Sequence, residues 1–349
     1  MKTKISSYAR VISRLSKFQL SGLVTSTAGL GFLAGGSPIE AIPLASVMVG
    51  TFLTACSAST FNQIIEVKSD ALMKRTRLRP LPTNTITSFQ AKTFGAVSGS
   101  LGIGCLIIGN NPITGALGLA NLLLYTQIYT PLKKKTIFNS EIGAIVGAIP
   151  PIMGWTAATG SFLAPETAVL GSILFLWQMP HFLSLAWLLR KDYAIGGYRM
   201  RSLNDVSGKS TSLTSLIYTA CLFPLPIFTT YIGMTSAMFA IHGLLANGFI
   251  ASKAWQFYSN TSDDTARSLF HTSLWQLPLL MSLFAYNKID IDEKNAIAEF
   301  DGLHSFGRRL CLHESLIATT SGKDLCMNCL DTTGSPSTQY SIINTESNT

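Results

Sequence analysis

Nine long apolar stretches constrain the fold of this chain more than any other feature. Each is about 18 residues or longer, the length that an α-helix needs to cross a bilayer. They lie at residues 19–37, 43–63, 89–109, 112–131, 141–160, 166–189, 212–231, 233–252 and 268–286. Charged residues make up 13% of the chain, against about 25% in soluble proteins. The sequence predicts an all-α integral membrane protein, because a soluble protein with nine such stretches would have no polar surface.

Basic residues are distributed unevenly between these stretches and account for the net charge of +8. They cluster in the N-terminus and after the second, fourth, sixth and eighth stretches, at residues 2–17, 68–79, 133–135, 190–201, 253 and 267. The segments after the first, third, fifth and seventh stretches contain no lysine or arginine. This pattern is typical of nine membrane spans, with the C-terminus on the face opposite the basic loops. It favours the lipid bilayer as a partner and disfavours nucleic acid, because the charge is divided among short loops.

The two ends of the chain differ from the predicted transmembrane domain at residues 19–287. Residues 1–18 are basic and rich in serine, which suits either a mitochondrial transit segment or a positively charged flank of the first helix. Residues 288–349 are polar and rich in Ser, Thr and Asn, which predicts a disordered tail. The tail contains a loose zinc-like pattern, formed by Cys311, His313, Cys326 and Cys329. We favour incidental cysteines there, because the surroundings lack a packed core.

Three oxygen-bearing side chains, Asn62, Glu66 and Asp70, recur every four residues at the end of the second stretch. They share one face if the helix continues through them. Two carboxylates and an amide oxygen suit Mg²⁺, which binds through few protein ligands and substrate phosphates. A set of basic residues that could hold a diphosphate follows directly: Lys74, Arg75, Arg77 and Arg79. The alternative is a solvated helix end, but unpaired carboxylates are costly at a membrane edge.

Further polar groups follow the fourth and sixth stretches. Lysines 133–135 could attract phosphate or could simply set the topology. His181 lies inside the sixth stretch, where it is either a hydrogen-bonded core residue or a functional group whose neutral imidazole could ligate or orient haem iron. Asp192 could bind a second Mg²⁺ or a metal-bound water, and Lys191 could contact a leaving diphosphate. Together these groups predict a polar cavity at one membrane face that opens into an apolar interior.

With these motifs the chain resembles the UbiA-type intramembrane prenyltransferases, and within them the protohaem IX farnesyltransferase (haem O synthase) branch in its mitochondrial form. The resemblance rests on the 62–70 stripe followed by Arg75-Thr-Arg77-Leu-Arg79-Pro80. It also rests on segments 111–118, 143–155 and 177–182, on Asp192-Tyr193, and on Gly196-Gly197-Tyr198. It covers about residues 8–287 and implies a nine-helix bundle around a central cavity.

The resemblance also implies a reaction, transfer of farnesyl from farnesyl diphosphate to a vinyl group of haem b. The product would be haem O, made in the mitochondrial inner membrane on the route to haem A and cytochrome oxidase, with haem A synthase as a downstream partner. Asn62, Glu66 and Asp70 would hold Mg²⁺ on the diphosphate, Asp192 would serve a second metal site and His181 would face the haem. The diphosphate would be bound by basic residues: Lys74, Arg75, Arg79, Lys134 and Lys191.

One position departs from the wider superfamily, whose second motif usually has two carboxylates four residues apart. Gly196 stands four residues after Asp192, a loss that the haem branch shares and that leaves a second Mg²⁺ open. One alternative is a UbiA-type enzyme with a quinone or other aromatic acceptor, which Gly196 and His181 disfavour. The other is a non-enzymatic transporter or haem-handling protein, which is disfavoured because the motifs cluster at one face rather than at the midplane.

Overall fold

The computed structural model describes residues 2–36 and 39–289, with side chains from residue 8 onward. These residues fall within one compact unit, Met1–Ser305. Within the described ranges, extended pairing is confined to an isolated antiparallel bridge between Thr235 and Lys288. The predicted disordered tail lies outside the described residues from position 290 onward, and so does its cysteine and histidine pattern.

Helices make up most of the described chain. The first part contains α1 (Lys2–Leu15), α2 (Phe18–Gly35), α3 (Ala41–Leu72), α4 (Ser88–Gly109), α5 (Pro112–Leu123) and the short α6 (Thr130–Leu132). A π-helical turn, Leu124–Tyr129, joins α5 to α6. The second part contains α7 (Asn139–Thr159), α8 (Pro165–Leu188), α9 (Arg190–Ile195), α10 (Lys209–Ala220), α11 (Pro224–Tyr231), α12 (Ala237–Ser259) and α13 (Asp263–Tyr286).

Each predicted stretch coincides with one helix or with consecutive helices. The stretch at 112–131 is α5, the π-helical turn and α6, whereas the stretch at 212–231 lies within α10 and α11. Five described segments are long and apolar enough to cross a membrane: Ala41–Leu72, Ser88–Gly109, Asn139–Thr159, Pro165–Leu188 and Lys209–Tyr231. The all-α membrane fold is therefore confirmed, and the count of nine spans stays a prediction.

The outer surface of the bundle is apolar, whereas many polar side chains are buried inside it. Ile108 and Leu163 are 88% and 90% exposed, while Ser57, Thr60 and Asn62 are fully buried. In water this distribution would be unfavourable, because large exposed apolar patches promote association. In a bilayer it is expected, since lipid solvates the outer side chains and buried polar groups find partners between helices.

Small residues bring the helices around the bundle centre into close contact. α3 packs on α4, α2 packs on α7, and α8 packs on both α7 and α13. A Cβ atom added at Gly154 of α7 would overlap the carbonyl oxygen of Ala28 in α2. The missing side chain therefore allows the two backbones to touch, as is common between membrane helices. This contact places α2, which begins directly after Lys17, beside the helices that line the central cavity.

Two helix interruptions have identifiable causes. α10 and α11 are separated at Leu222, whose carbonyl would pair with the backbone nitrogen of residue 226 in a continuous helix. Residue 226 is proline and has no N–H to donate. The Leu222 carbonyl instead accepts from the side chain of Asn247 in α12 at 2.9 Å and from the backbone nitrogen of Leu225 at 3.4 Å. In the other interruption, the π-helical turn before α6, the Thr130 hydroxyl donates to the Tyr125 carbonyl at 2.8 Å.

Candidate active site

A cavity of about 590 Å³ extends through the middle of the bundle. Its lining residues on α3 reach from Thr51 to Asp70, a distance of about 28 Å at 1.5 Å per helical residue. Charged and amide side chains line the end near the basic loops: Lys17, Asn62, Glu66, Asp70, Arg75, Arg79 and Lys133. Apolar residues line the deeper part: Val146, Pro150, Met153, Leu174 and Leu277. A ligand with an anionic head and a hydrocarbon tail matches this division.

The 62–70 stripe lies on one face of α3, as its spacing predicts, because α3 continues to Leu72. Each of its three members is paired with a cation from another segment. Lys17 Nζ donates to Asn62 Oδ1 at 2.9 Å, and Lys133 Nζ donates to Glu66 Oε1 at 2.9 Å. Arg79 Nη1 donates to Asp70 Oδ2 at 2.6 Å. The alternative of a solvated helix end is therefore not observed, since all three stripe residues are buried.

These pairs give hydrogen-bond partners to most of the polar atoms of the stripe, with one exception. Asp70 Oδ1 is buried without a hydrogen-bond partner among the described residues. A buried carboxylate oxygen without a partner is costly, which makes it a candidate metal ligand. The described residues contain no cluster of three His, Cys, Asp or Glu side chains. This donor set fits Mg²⁺ held by one or two carboxylates, an amide oxygen and substrate phosphates, the arrangement that Mg²⁺ commonly adopts.

Lys17 reaches the stripe because of an unusual turn between α1 and α2. Its backbone is left-handed, with φ of 48°, which is uncommon for a lysine. Gln63 Nε2 donates to the carbonyls of Arg14 at 3.1 Å and Leu15 at 2.6 Å, and so caps the last turn of α1. Burial lowers the pKa of Lys17 to about 7, and the positive charges of Arg79 and Lys133 contribute to this lowering. This cation therefore titrates close to neutral pH.

Lys133 is positioned by the π-helical turn and α6. Thr130 Oγ1 accepts from Asn62 Nδ2 at 3.2 Å, which ties α6 to α3. Lys133 Nζ lies over the ring of Tyr129, 4.6 Å from its centroid. Burial opposes the charge of Lys133, but the Tyr129 and Glu66 oxygens beside it hold its pKa above the ordinary value. Lys133 is thus a permanent cation at the cavity, whereas the adjacent Lys134, predicted to bind diphosphate, is exposed.

The segment after α8 closes over the loop that follows α3. Asp192 Oδ2 accepts a hydrogen bond from the backbone nitrogen of Arg75 at 3.1 Å. Arg75 lines the cavity, but the described lining residues include neither Asp192 nor the exposed Lys191 and Lys74. Asp192 therefore holds α9 against the loop after α3 in this structure, and a metal role for it stays a prediction.

Gly196 and Tyr198 lie in the same segment. A Cβ atom at Gly196 would approach the Met73 sulfur to 2.8 Å, so a carboxylate side chain here would require the Met73 side chain to move. The Tyr198 hydroxyl is buried without a hydrogen-bond partner in the described chain, and Tyr198 lines the cavity. Burial and the nearby Glu66 charge raise the pKa of Tyr198. Its phenol is therefore protonated and lies beside the Glu66 carboxylate.

His181 lines the cavity from α8. Its imidazole lies between two aromatic rings, with centroid distances of 5.0 Å to Trp177 and 4.6 Å to Phe270. The interplanar angles are 18° and 24°, so the three rings are nearly parallel. Nδ1 of His181 is 2.8 Å from the Ser273 hydroxyl oxygen. Because Leu188 ends α8 seven residues further on, His181 lies about 10 Å along the helix from the basic loops.

Several residues that line the cavity are not identified by the sequence. The sequence places Lys17 only in the basic N-terminus, treats Lys133 only as one of three lysines that could attract phosphate or set the topology, and gives Tyr198 only as part of a motif. Phe270, on α13, belongs to none of the motifs. One feature of the sequence does point to Lys133, because it follows Tyr129 by four residues and so lies on the same helix face. The other three are brought to the cavity by turns and by packing between distant helices.

The fold and the site together define a class, membrane-embedded prenyltransferases, in which a cation-lined head site opens into an apolar cavity. The chain belongs to the UbiA prenyltransferase family, which matches residues 22–277. The match contains the 62–70 stripe, His181 and Asp192, and it extends over most of the helices that line the cavity.

Relatives of this chain are found in plants, animals and bacteria. The chain is 40% identical over 298 residues to "Protoheme IX farnesyltransferase, mitochondrial" of Arabidopsis thaliana, covering 85% of this chain and 69% of that protein. It is 41% identical over 283 residues to the protein of the same name from Homo sapiens, covering 81% and 63%. A protein of Cytophaga hutchinsonii named "Protoheme IX farnesyltransferase" is 35% identical, with 79% and 96% covered. The chain thus spans less than two thirds of the human protein.

Solved structures confirm the fold at low sequence identity. A structure described for digeranylgeranylglyceryl phosphate synthase superposes with a TM-score of 0.67 and 14% identity, covering 80% of this chain and 98% of that one. A UbiA homolog from Archaeoglobus fulgidus bound to GPP and Mg²⁺ superposes with a TM-score of 0.55 and 10% identity, covering 79% and 99%. The predicted UbiA-type fold is therefore confirmed, although its helix count in the membrane is not.

Proposed function

We propose that this chain transfers the farnesyl group of farnesyl diphosphate to a vinyl group of protohaem IX, giving haem O. The observation that carries the proposal is the division of one cavity into a cation-lined end and an apolar interior with His181 between them. The names of the relatives at 35–41% identity supply the two substrates. We place the reaction in the mitochondrial inner membrane, with haem A synthase acting next on the product.

The charged end would bind the diphosphate by exchanging partners. Lys17, Lys133 and Arg79 are now paired with Asn62, Glu66 and Asp70. When a diphosphate enters, its oxygens would take these cations and Arg75, while the stripe residues would become free to hold Mg²⁺. Such an exchange keeps every buried charge compensated, which matters because an unpaired buried charge is strongly destabilising. Mg²⁺ bound by Asn62, Glu66 and Asp70 would neutralise the charge of the departing diphosphate.

The chain's own residues would then favour ionisation of the C1–O bond. Lys133, Arg79 and the Tyr198 hydroxyl would stabilise the negative charge that develops on the bridging oxygen. The vinyl group would donate its electron pair to C1 and form the new carbon–carbon bond, leaving a cation next to the porphyrin. Water would add to that cation and release one proton, giving a hydroxyethylfarnesyl group. The apolar lining, including Met153 and Leu174, would keep water away from the allylic cation until the carbon–carbon bond forms.

The residues outside the cavity lining have less direct roles in this proposal. Asp192 would hold the loop after α3 through its bond to the Arg75 nitrogen, and a second Mg²⁺ at Asp192 would require that bond to break. Exposed Lys74, Lys134 and Lys191 would attract the anionic substrate to the entrance of the cavity. These three are therefore expected to affect the association rate and its salt dependence more than the chemical step.

The direct test uses the purified full chain in lipid vesicles with Mg²⁺, farnesyl diphosphate and haem b. We expect haem O to form, detected by mass spectrometry, and to be absent when farnesyl diphosphate is omitted or Mg²⁺ is chelated. Parallel reactions contain a quinone precursor in place of haem b. Prenylation of that precursor without any haem O would overturn haem as the acceptor. Haem binding without transfer under all conditions would indicate a haem-handling protein instead.

A further inference from the structure

Ser273 of α13 contacts Trp177 and His181, two of the aromatic residues that α8 presents to the cavity. Its carbonyl oxygen accepts from Trp177 Nε1 at 2.9 Å, and its hydroxyl oxygen lies 2.8 Å from His181 Nδ1. The side chain of Ser273 is fully buried. Two independent bonds to residues four positions apart therefore fix this serine relative to α8.

The hydroxyl hydrogen of Ser273 has a defined direction. Its oxygen lies 2.7 Å from the carbonyl oxygen of Phe270, which can only accept. Two oxygens at this distance repel unless a hydrogen lies between them, so the hydroxyl donates to Phe270. It can then only accept from His181. Nδ1 of His181 must therefore carry the proton, and Nε2 of the neutral ring carries the lone pair.

The two stacked rings limit the directions from which a ligand can approach the lone pair on Nε2 of His181. The rings of Trp177 and Phe270 each stack nearly parallel to the imidazole. Nε2 has no hydrogen-bond partner among the described residues, and His181 lines the cavity. The lone pair lies in the plane of the ring. A metal ion binds a histidine nitrogen by such an edge-on approach, in the plane of the ring.

We propose that Ser273 is a positioning residue that keeps His181 in the Nδ1–H form and so presents Nε2 as an axial ligand to the iron of the haem substrate. The inference rests on the proposed function, in which haem is the acceptor. A histidine that ligates iron commonly donates its other ring N–H to a fixed oxygen, which sets the orientation of the ring and raises its basicity. Ser273 supplies that oxygen from a different helix.

Iron ligation at this position would also set the depth of the porphyrin in the bundle. His181 lies about 10 Å along α8 from the loop that follows it. A bond from Nε2 to iron would fix the distance between the porphyrin edge and the charged end near Glu66. The vinyl group would then be held at a reproducible distance from C1 of the farnesyl chain, and such positioning contributes directly to rate.

The test compares two nearly isosteric substitutions, Ser273→Thr and Ser273→Val, because threonine retains the hydroxyl and valine does not. Purified full-length protein in lipid nanodiscs is titrated with ferric haem b and followed by the Soret band and by electron paramagnetic resonance. We expect wild type and Ser273→Thr to give the same histidine-ligated spectrum. Ser273→Val should weaken haem binding by about 10- to 100-fold and alter the spectrum. His181→Ala should lose the ligated signal.

A matched control separates this role from simple loss of a buried hydroxyl. Ser57→Ala removes another fully buried hydroxyl, one that donates to the Gly95 carbonyl between α3 and α4. It should leave the spectrum unchanged. Identical spectra and affinities for Ser273→Thr and Ser273→Val would overturn the proposal, as would a ligated spectrum that survives His181→Ala. If both Ser273 variants are too unstable to purify, the ¹⁵N resonances of His181 in the wild type show which ring nitrogen carries the proton. A protonated Nε2 would overturn the proposal.

Haem O formation by the same wild-type sample distinguishes this inference from the proposed function. Transfer without a histidine-ligated spectrum would refute the iron ligand and leave the farnesyltransferase in place. A ligated spectrum without transfer would support the ligand and refute the transfer reaction.

Discussion

The charged end of the cavity and the pocket around His181 hold their polar groups by different means. At the charged end, three oxygen ligands on α3 are matched by three cations from other segments, Lys17, Lys133 and Arg79. Around His181, two aromatic rings and a hydroxyl hold one neutral imidazole. The first arrangement can exchange partners when an anion and a metal arrive. The second is preorganised by ring stacking and by the hydroxyl of Ser273.

This difference suggests a division of labour between the two substrates. A diphosphate brings several negative charges, so its site needs mobile cations and must remain neutral without the ligand. A porphyrin brings a large apolar disc and one metal, so its site needs fixed geometry. Variants at the charged end should therefore act on farnesyl diphosphate, and variants in the aromatic pocket should act on haem. Substitutions at either end can test that separation, and the charged end should give the larger effects.

Asp70→Asn should cause the largest loss. It removes the negative charge of the one stripe residue that has a buried oxygen without a partner in the described chain, while it keeps an acceptor for Arg79. We expect kcat to fall by at least about 100-fold, since loss of one electrostatic contact to the transition state has this size. Haem O formation measures the rate, and thermal denaturation in detergent should show a folded protein.

The matched control for this substitution is Asp264→Asn. Asp264 is highly exposed at the start of α13 and forms a long ion pair with Arg267. Its removal should leave the rate within about twofold of wild type, because exposed ion pairs contribute little. Near-normal haem O formation by Asp70→Asn would contradict its assignment as a metal ligand and with it the exchange of partners at this end.

Lys133→Met should have the next largest effect, and the comparison with Lys134→Met sharpens it. Lys133 is partly buried and paired with Glu66, whereas Lys134 is exposed. We expect the KM for farnesyl diphosphate to rise by about 10- to 100-fold in Lys133→Met, the size of one lost charged hydrogen bond. The KM for haem should change little. Equal effects of the two substitutions would show that position in the cavity does not distinguish these lysines.

The two ends also differ in how far the sequence could predict them. Hydropathy located the helices, and the four-residue spacing of Asn62, Glu66 and Asp70 correctly placed them on one face. The choice among lysines 133–135 had only the spacing of Lys133 from Tyr129 to support it, because a π-helical turn rotates the residues after it relative to their positions in a regular α-helix. Lys17 depends on a left-handed turn that Gln63 caps from α3, and no local pattern predicts such a contact.

The aromatic pocket was still harder to predict. His181 was recognisable because an ionisable side chain inside a membrane span is uncommon. Its partner Ser273 is 92 residues away in the chain and is one of many serines in the membrane region. Only the packing of α8 against α13 brings the two together. Sequence spacing can therefore predict groups that share one helix, but it cannot predict which residues on different helices meet.

A smaller effect should appear in the pH dependence of farnesyl diphosphate binding. Burial lowers the pKa of Lys17 to about 7, so the free enzyme loses this positive charge as the pH rises through that value. The charged form binds the anion, so kcat/KM for farnesyl diphosphate should fall by about fivefold between pH 7 and pH 8. Lys17→Arg should abolish this decrease, because arginine stays protonated. A decrease that persists unchanged in Lys17→Arg would assign it to another group.

Phe270→Leu should give the smallest effect and should act on the other substrate. It removes one of the two rings that cover the imidazole of His181, while Ser273 and Trp177 remain in place. Stacked aromatic pairs contribute about 0.5–1.5 kcal/mol beyond their buried area, so the KM for haem should rise by about threefold. The KM for farnesyl diphosphate should stay constant, because the cations at the other end are untouched. A parallel rise in both KM values would mean that the two ends of the cavity do not act separately, since a change confined to a neutral aromatic pocket would then have reached the ion pairs on α3.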